Sequence, residues 1–233
     1  MEKAIEAIGE DLATSRIMYS GDGGHVLTFP VAHGKTMNVV AFNHDPQDWD
    51  SEELVLPTTR ADARRDFRNW GYNVKAIIDL LPDNLDKWGI FDLADNPLSR
   101  FNQGRVCVAG DAAHATGPHH GAGAGFCIED SAVLAELLQV AWRHLQSGTA
   151  RKPKVEVLES VLEVFDTARR ERTQWLVESS RVSADLYEWR YEPCGRDPAK
   201  IKEEVLWRNF KIWNVDTEDM TKTSNKELES MIA

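Results

Sequence analysis

The stretch GRVCVAGDAAHATGPHHGAGAGFCIEDSAVLAELL, residues 104–138, constrains this chain more than any other segment. RVCVAG (105–110) reads as a short buried strand. A loop of small residues follows, then a helix predicted from about Gly125 to Leu145, with apolar positions at Ile128, Ala132, Leu134, Leu138 and Ala141. Glycines at the mouth of a helix let an outside group approach the backbone, and the unsatisfied N–H groups there carry partial positive charge. Asp111 falls at the carboxyl end of the strand, where α/β sheets bind ligands. A carboxylate there repels phosphate and suits hydroxyls, as on a ribose or ribityl chain. On spacing alone, a tight strand-to-helix connection with no ligand remains the other reading. The dinucleotide fingerprint GxGxxG is not met: GAGAGF places Phe126 at its sixth position, and GDGGHV (21–26) fails as well. Asp111, His114, His119 and His120 are close in sequence, but adjacent histidines point apart and no second ligand cluster exists. No metal site is expected.

Around this segment the chain alternates short elements. EKAIEAIGEDL has helical spacing. HVLTFPV (25–31) and TMNVVAF (36–42) predict a β-hairpin across AHGK, with Gly34 supplying the turn and His25, Leu27 and Phe29 on one face. Residues 43–59 read as loop. RADARRDFRNW and NVKAIIDLL read as helices, and a strand followed by a turn is expected within residues 86–101. Residues 155–189 form a long helical pattern with apolar positions including Val161, Phe165 and Leu176. Asp197-Pro198 is an N-cap and N1 pair for a further helix through Trp213. The last twenty residues are polar, with a capping box Ser224–Glu227 as their one order signal.

Composition narrows the function classes. A formal charge of -11 over 233 residues, with no basic patch, argues against nucleic acid as a partner. Three separated cysteines, Cys107, Cys127 and Cys194, fit a reducing compartment better than a disulfide framework. No apolar run approaches the roughly 18 residues of a membrane span, and no signal-peptide pattern is present, so a cytoplasmic protein is expected.

GDAAH, then Pro118, then GAGA, then IEDS-x-x-LA resembles the second flavin motif of the FAD-dependent aromatic hydroxylases, the group that includes salicylate hydroxylase; Ser131 replaces the usual alanine. GDGGHVLTFPV resembles the first strands of that family's substrate domain. FDTARRERTQWLVESSR resembles its (Y/F)-x-x-x-R-x-x-R helix, so the likeness covers roughly residues 15–185. It implies a mixed α+β / α/β fold: a partial Rossmann-like FAD-binding segment, a β-sheet substrate domain and C-terminal helices. Residues 1–100 would carry the substrate sheet, 101–150 the flavin-binding strand, loop and helix, and 151–233 a helical region with a polar tail.

The resemblance also implies roles. Asp111, beside Gly110, would bind the ribityl and pyrophosphate part of FAD; Pro118, Gly121, Ala122, Gly123 and Ala124 would lie against the isoalloxazine ring. The backbone N–H groups there would stabilise negative charge on the reduced flavin. His25, with Phe29-Pro30 four residues on, matches a substrate-facing histidine of some relatives, but Phe29 stands where they have tyrosine. His119 and His120 are candidates to line the pocket, and His25 and His119 are the candidate catalytic residues. NAD(P)H would supply electrons, and a small aromatic substrate would receive an oxygen atom from O2. The family's N-terminal GxGxxG unit and its DG motif are missing here, so the chain reads as a fragment, a misassigned gene model or a truncated paralogue. A homo- or hetero-oligomer covering the exposed sheet edge is expected. The alternative to the monooxygenase reading is a truncated paralogue without FAD, serving as binding module, partner subunit or cofactor-free acid/base catalyst.

Overall fold

The computed structural model describes residues 1–148 and 150–233. They form two compact units, one of residues 1–90 with 184–201, the other of residues 91–183 with 202–233. The fold is mixed α and β, with small sheets and long helices, as the sequence leads one to expect.

The first unit opens with α1 (Glu2–Ile8) and α2 (Glu10–Thr14), broken at Gly9, whose φ of 85° ends the predicted single helix. β1 (Ile17–Gly21), β2 (Gly24–Val31) and β3 (Thr36–Asn43) make an antiparallel sheet in that order. The predicted hairpin is β2–β3, closed by three residues of positive φ: Ala32, His33 and Gly34. β4 (Val55–Thr59) lies in the stretch expected to be loop. It pairs antiparallel with β5 (Asn84–Trp88), and two helices, α3 (Arg60–Asp66) and α4 (Tyr72–Asp79), fall between them. Thr59 and Asp62 form a reciprocal capping box at the start of α3. The apolar stripe of α4 buries Val74, Ile77 and Ile78 against Val26, Val39 and Tyr19 of the sheet. Side-chain alternation explains the split in β2: Val26 turns into this core while His25 turns to the opposite face.

The second unit holds β6 (Asn102–Gln103), β7 (Val106–Cys107), α5 (Asp111–His114), a 3₁₀ turn (Pro118–His120), α6 (Gly123–Gln146), most of α7 (Lys154–Tyr187), most of α8 (Pro198–Trp213) and α9 (Thr217–Ile232). The expected buried strand at 105–110 is corrected. β7 has two residues, pairs only with β6 across Gly104-Arg105, and leaves Val106 69% exposed. A strand buries its faces only when other elements cover them, and a two-residue hairpin offers too little ladder for that.

The helix after the loop forms as predicted, but its inward face differs. Phe126, Asp130, Val133, Leu137, Val140 and Ala141 are buried, while Ile128 and Leu138 are exposed. Both stripes are apolar at helical spacing, so periodicity could not choose between them; Asp130 chooses, as described below. Val133, Leu137, Val157, Val161 and Phe165 then build the main core with Phe101. Asp197 caps α8 as expected, its carboxylate accepting from the Ala199 and Lys200 amides.

The polar tail is also corrected. It is the helix α9, capped by Asp216, whose carboxylate accepts from the Asp219 amide. Ser224 lies inside it and donates to the Met220 carbonyl instead of capping. Leu228 (0% exposed) and Ile232 complete the core against α6. Leu228→Ala is therefore expected to cost about 2–5 kcal/mol, because deletion of a fully buried side chain leaves a cavity; a urea titration read by circular dichroism measures it.

Candidate flavin site

Gly110 turns the chain from β7 into α5 at φ 60°, ψ −144°. A Cβ there would come 3.2 Å from the Cys127 sulfur, a crowded contact, and the positive φ would strain any side chain. Asp111 follows and is exposed. The loop then passes Gly117 and Pro118, and Gly121 closes the 3₁₀ turn in the left-handed region at φ 63°, its amide donating to the Pro118 carbonyl at 3.0 Å. α6 begins at Gly123 with no side-chain cap. Its first-turn amides are the unsatisfied kind that attract negative charge.

Three buried side chains, Asp130, His114 and Arg169, hold this loop, with half-buried Glu129 and Arg172 beside them. The Asp130 carboxylate accepts from the Gly110 amide at 2.9 Å, contacts His114 Nε2 at 2.7 Å, and accepts from Arg169 Nε at 2.7 Å. Arg169 is fully buried. It also reaches Glu129 at 2.8 Å and the Phe126 carbonyl at 3.4 Å. Arg172 adds a bidentate pair to Glu129, at 2.9 and 2.8 Å, and its guanidinium lies 4.4 Å from the Phe126 ring centroid. Burial pushes the Asp130 carboxyl up, but the bonds from His114, Arg169 and the Gly110 amide outweigh it and hold the group below the usual carboxylate range. Glu129 is lowered likewise: burial opposes, and Arg172 and Arg169 prevail.

These anchors explain why the pattern is long. GDAAH supplies Gly110 and His114, IED supplies Glu129 and Asp130, and F-x-x-x-R-x-x-R supplies Arg169 and Arg172, placed three apart on one face of α7. The spacing marked these residues, but assigned them no task. Two adjacent acids on a helix that is otherwise apolar inward were the signal available.

The other predicted residues fall as follows. Pro118, Gly121, Ala124 and Gly125 are exposed along the loop with Asp111, while Ala122 and Gly123 are half-buried. Cys127 lies beneath the loop; burial, with Asp111 and Asp130 nearby, pushes its thiol up and keeps it protonated. His119 is half-buried in the 3₁₀ turn. His120 contacts Ser179 Oγ at 2.9 Å and Ser183 Oγ at 3.1 Å. His25 belongs to the first unit. It is 1% exposed, stacks on its cross-strand partner Phe42 at 4.3 Å, and contacts Glu188 at 3.2 Å. Glu188 also accepts from Arg190 at 3.0 Å. No group of three or more metal-ligating side chains occurs among the described residues.

The loop suits a flat cofactor with a polyhydroxyl chain. Gly125 has no positive φ, and a Cβ there would meet nothing within 4 Å. Its lack of a side chain is thus explained neither by backbone geometry nor by internal packing. The exposed start of α6 is open to close approach from outside, and the exposed Asp111 carboxylate stands on the same loop.

Fold and loop together define a flavin-binding module. Residues 14–173 match the FAD binding domain family, and the chain belongs to it; FAD is the cofactor of that family. It is 49% identical over 228 residues to the FAD-dependent monooxygenase pigN of Monascus ruber, covering 97% of this chain and 52% of that protein. It is 37% identical over 240 residues to the salicylate hydroxylase asL1 of Sarocladium schorii, covering 98% and 49%. Among solved structures, a salicylate hydroxylase substrate complex superposes with a TM-score of 0.79 at 33% identity, over 96% of this chain and 53% of that one. The chain thus spans about half the length of these relatives. No helix among the described residues is long and apolar enough to cross a membrane.

Proposed function

We propose that this chain is the flavin-ring and substrate portion of an FAD-dependent monooxygenase that hydroxylates a small aromatic or phenolic compound at the expense of NAD(P)H and O2. The observation that carries the reading is the exposed Asp111–glycine loop, held from beneath by Asp130, His114 and Arg169. Bound FAD would supply the redox chemistry, passing reducing equivalents to O2. The chain's own residues do the holding. Asp111 accepts hydrogen bonds from ribityl hydroxyls. Pro118 and the backbone from Gly121 to Ala124 border the ring, and the N–H groups at the start of α6 favour the anionic reduced state. Residues 101–150 carry these contacts and residues 1–100 the substrate sheet.

His25 and His119 divide the remaining work. His119 stands in the turn after Pro118 and is the better candidate to meet substrate. His25, buried between Phe42 and Glu188, supports its sheet and acts on substrate only through those neighbours.

The test is a visible spectrum of the purified chain after incubation with FAD and desalting. Retained flavin bands, perturbed on adding salicylate as a probe and bleached by NAD(P)H, are expected. A protein that stays colourless after FAD treatment overturns the reading, and points instead to a binding or partner module without redox chemistry.

A further inference from the structure

The sequence ESSRVS in α7 places Ser179, Ser180 and Ser183 within five residues, and all three are buried, at 1%, 0% and 0% exposed. Buried hydroxyls in a helix ordinarily bond back to their own carbonyls. All three reach the turn of the glycine loop. Ser180 Oγ donates to the Gly117 carbonyl at 2.6 Å, immediately before Pro118. Ser179 Oγ accepts from Arg208 Nη1 of α8 at 3.0 Å, and His120 Nε2 lies 2.9 Å from the same oxygen. Arg208 occupies one lone pair of Ser179, which leaves the hydroxyl hydrogen free to turn to His120 Nε2. With Nε2 as the acceptor, the ring proton resides on Nδ1. Ser183 Oγ approaches the same nitrogen at 3.1 Å. Burial pushes the imidazole below its ordinary range, and Arg208 adds to that, its own charge partly met by Glu204 at 3.1 Å.

The Gly117–Gly121 turn is therefore gripped at both ends, by Ser180 on the Gly117 carbonyl and by Ser179 and Ser183 on His120. The Pro118–Gly121 bond closes the span between. Nothing in the hydrophobic core requires this: Pro118 and Gly121 are exposed. We infer that His120 is a positioning residue whose neutral Nε2, held by Ser179 and Ser183 with Arg208 behind them, fixes the turn so that its backbone meets the flavin ring in one geometry. This inference rests on the flavin reading above for its consequence, though the clamp itself does not need flavin.

The decisive measurements separate the two. In the chain labelled with ¹⁵N-histidine, the His120 ring nitrogens are expected to show a protonated Nδ1 and an unprotonated, hydrogen-bonded Nε2 near neutral pH. A protonated Nε2 overturns the clamp whether or not FAD binds. For the consequence, His120→Phe and Ser180→Ala are expected to raise the Kd for FAD about tenfold each and to blur the vibronic structure of the bound flavin's absorption. His120→Gln, which restores an acceptor at the Nε2 position, is expected to recover most of both. If wild type retains FAD and His120→Phe and Ser180→Ala, folded by circular dichroism, bind and perturb it as wild type does, the positioning role is refuted. If wild type takes up no FAD, it is the flavin reading that fails, and the ¹⁵N result still decides the clamp.

Discussion

Arg169→Met is expected to destabilise the chain by about 3–5 kcal/mol, the cost of removing one partner from a buried ionic cluster. The guanidinium is 0% exposed and meets both Asp130 and Glu129, so its loss leaves carboxylates in a low-dielectric interior with fewer donors. Glu129 keeps Arg172, and Asp130 keeps His114 and the Gly110 amide, which should hold the loss near the lower end of that range. A surface pair serves as control: Lys222 and Glu218 are 67% and 83% exposed, and Lys222→Ala should change stability by less than about 0.5 kcal/mol. Urea denaturation of the three proteins measures the difference; equal midpoints for wild type and Arg169→Met would refute the anchor. The cluster also fixes a pH dependence. Asp130 and Glu129 are lowered in the folded state, so their contribution is complete above the ordinary carboxylate pKa of about 4 and is lost as pH falls through the lower folded values. Wild type should therefore lose stability on acidification below about pH 4, and Arg169→Met should lose less over the same span.

Asp111→Ala is expected to behave in the opposite way. The side chain is exposed, and its carboxylate makes no hydrogen bond among the described residues, so unfolding free energy should stay within about 0.5 kcal/mol of wild type. Its carboxylate is the proposed acceptor for ribityl hydroxyls, and a charged hydrogen bond contributes about 1.5–3 kcal/mol. FAD affinity should fall on the order of 10–100-fold, read by quenching of flavin fluorescence. Unchanged affinity would show that the ribityl chain is held elsewhere. Together the two variants separate the loop's scaffold from its proposed ligand face: one loses stability, the other only cofactor affinity.

Several features were legible because they are local. The β2–β3 hairpin follows from β-branched residues on either side of AHGK, and the cap at Asp197 follows from one side chain reaching amides two and three residues on. The family motif was legible for the same reason: GDAAH, Pro118 and GAGA lie close together in the sequence.

The features that escaped depend on what lies opposite. α6 carries two apolar stripes, and only the pairing of Asp130 with Arg169, 39 residues away in sequence, turns Val133 and Leu137 inward and leaves Ile128 at 70% exposure. α9 looked like a polar tail because its apolar residues are few and widely spaced. Leu228 and Ile232 become core only because α6 presents a face for them. RVCVAG carried strand composition, but a buried strand also needs covering elements, and Val106 has too little around it. The contacts of His25 with Phe42 and Glu188 likewise join residues far apart in sequence.

By itself, then, the sequence determined the backbone's freedom at Gly110 and Gly121, the acid at 111, and the family to which the chain belongs, since these reside in residue type and short spacing. Tertiary structure alone decided that Asp130, His114 and Arg169 form one buried cluster under the loop, and that three serines of α7 grip its turn. Hydrogen bonds and ion pairs act over about 3 Å, and no spacing rule says which distant residues a fold will bring that close.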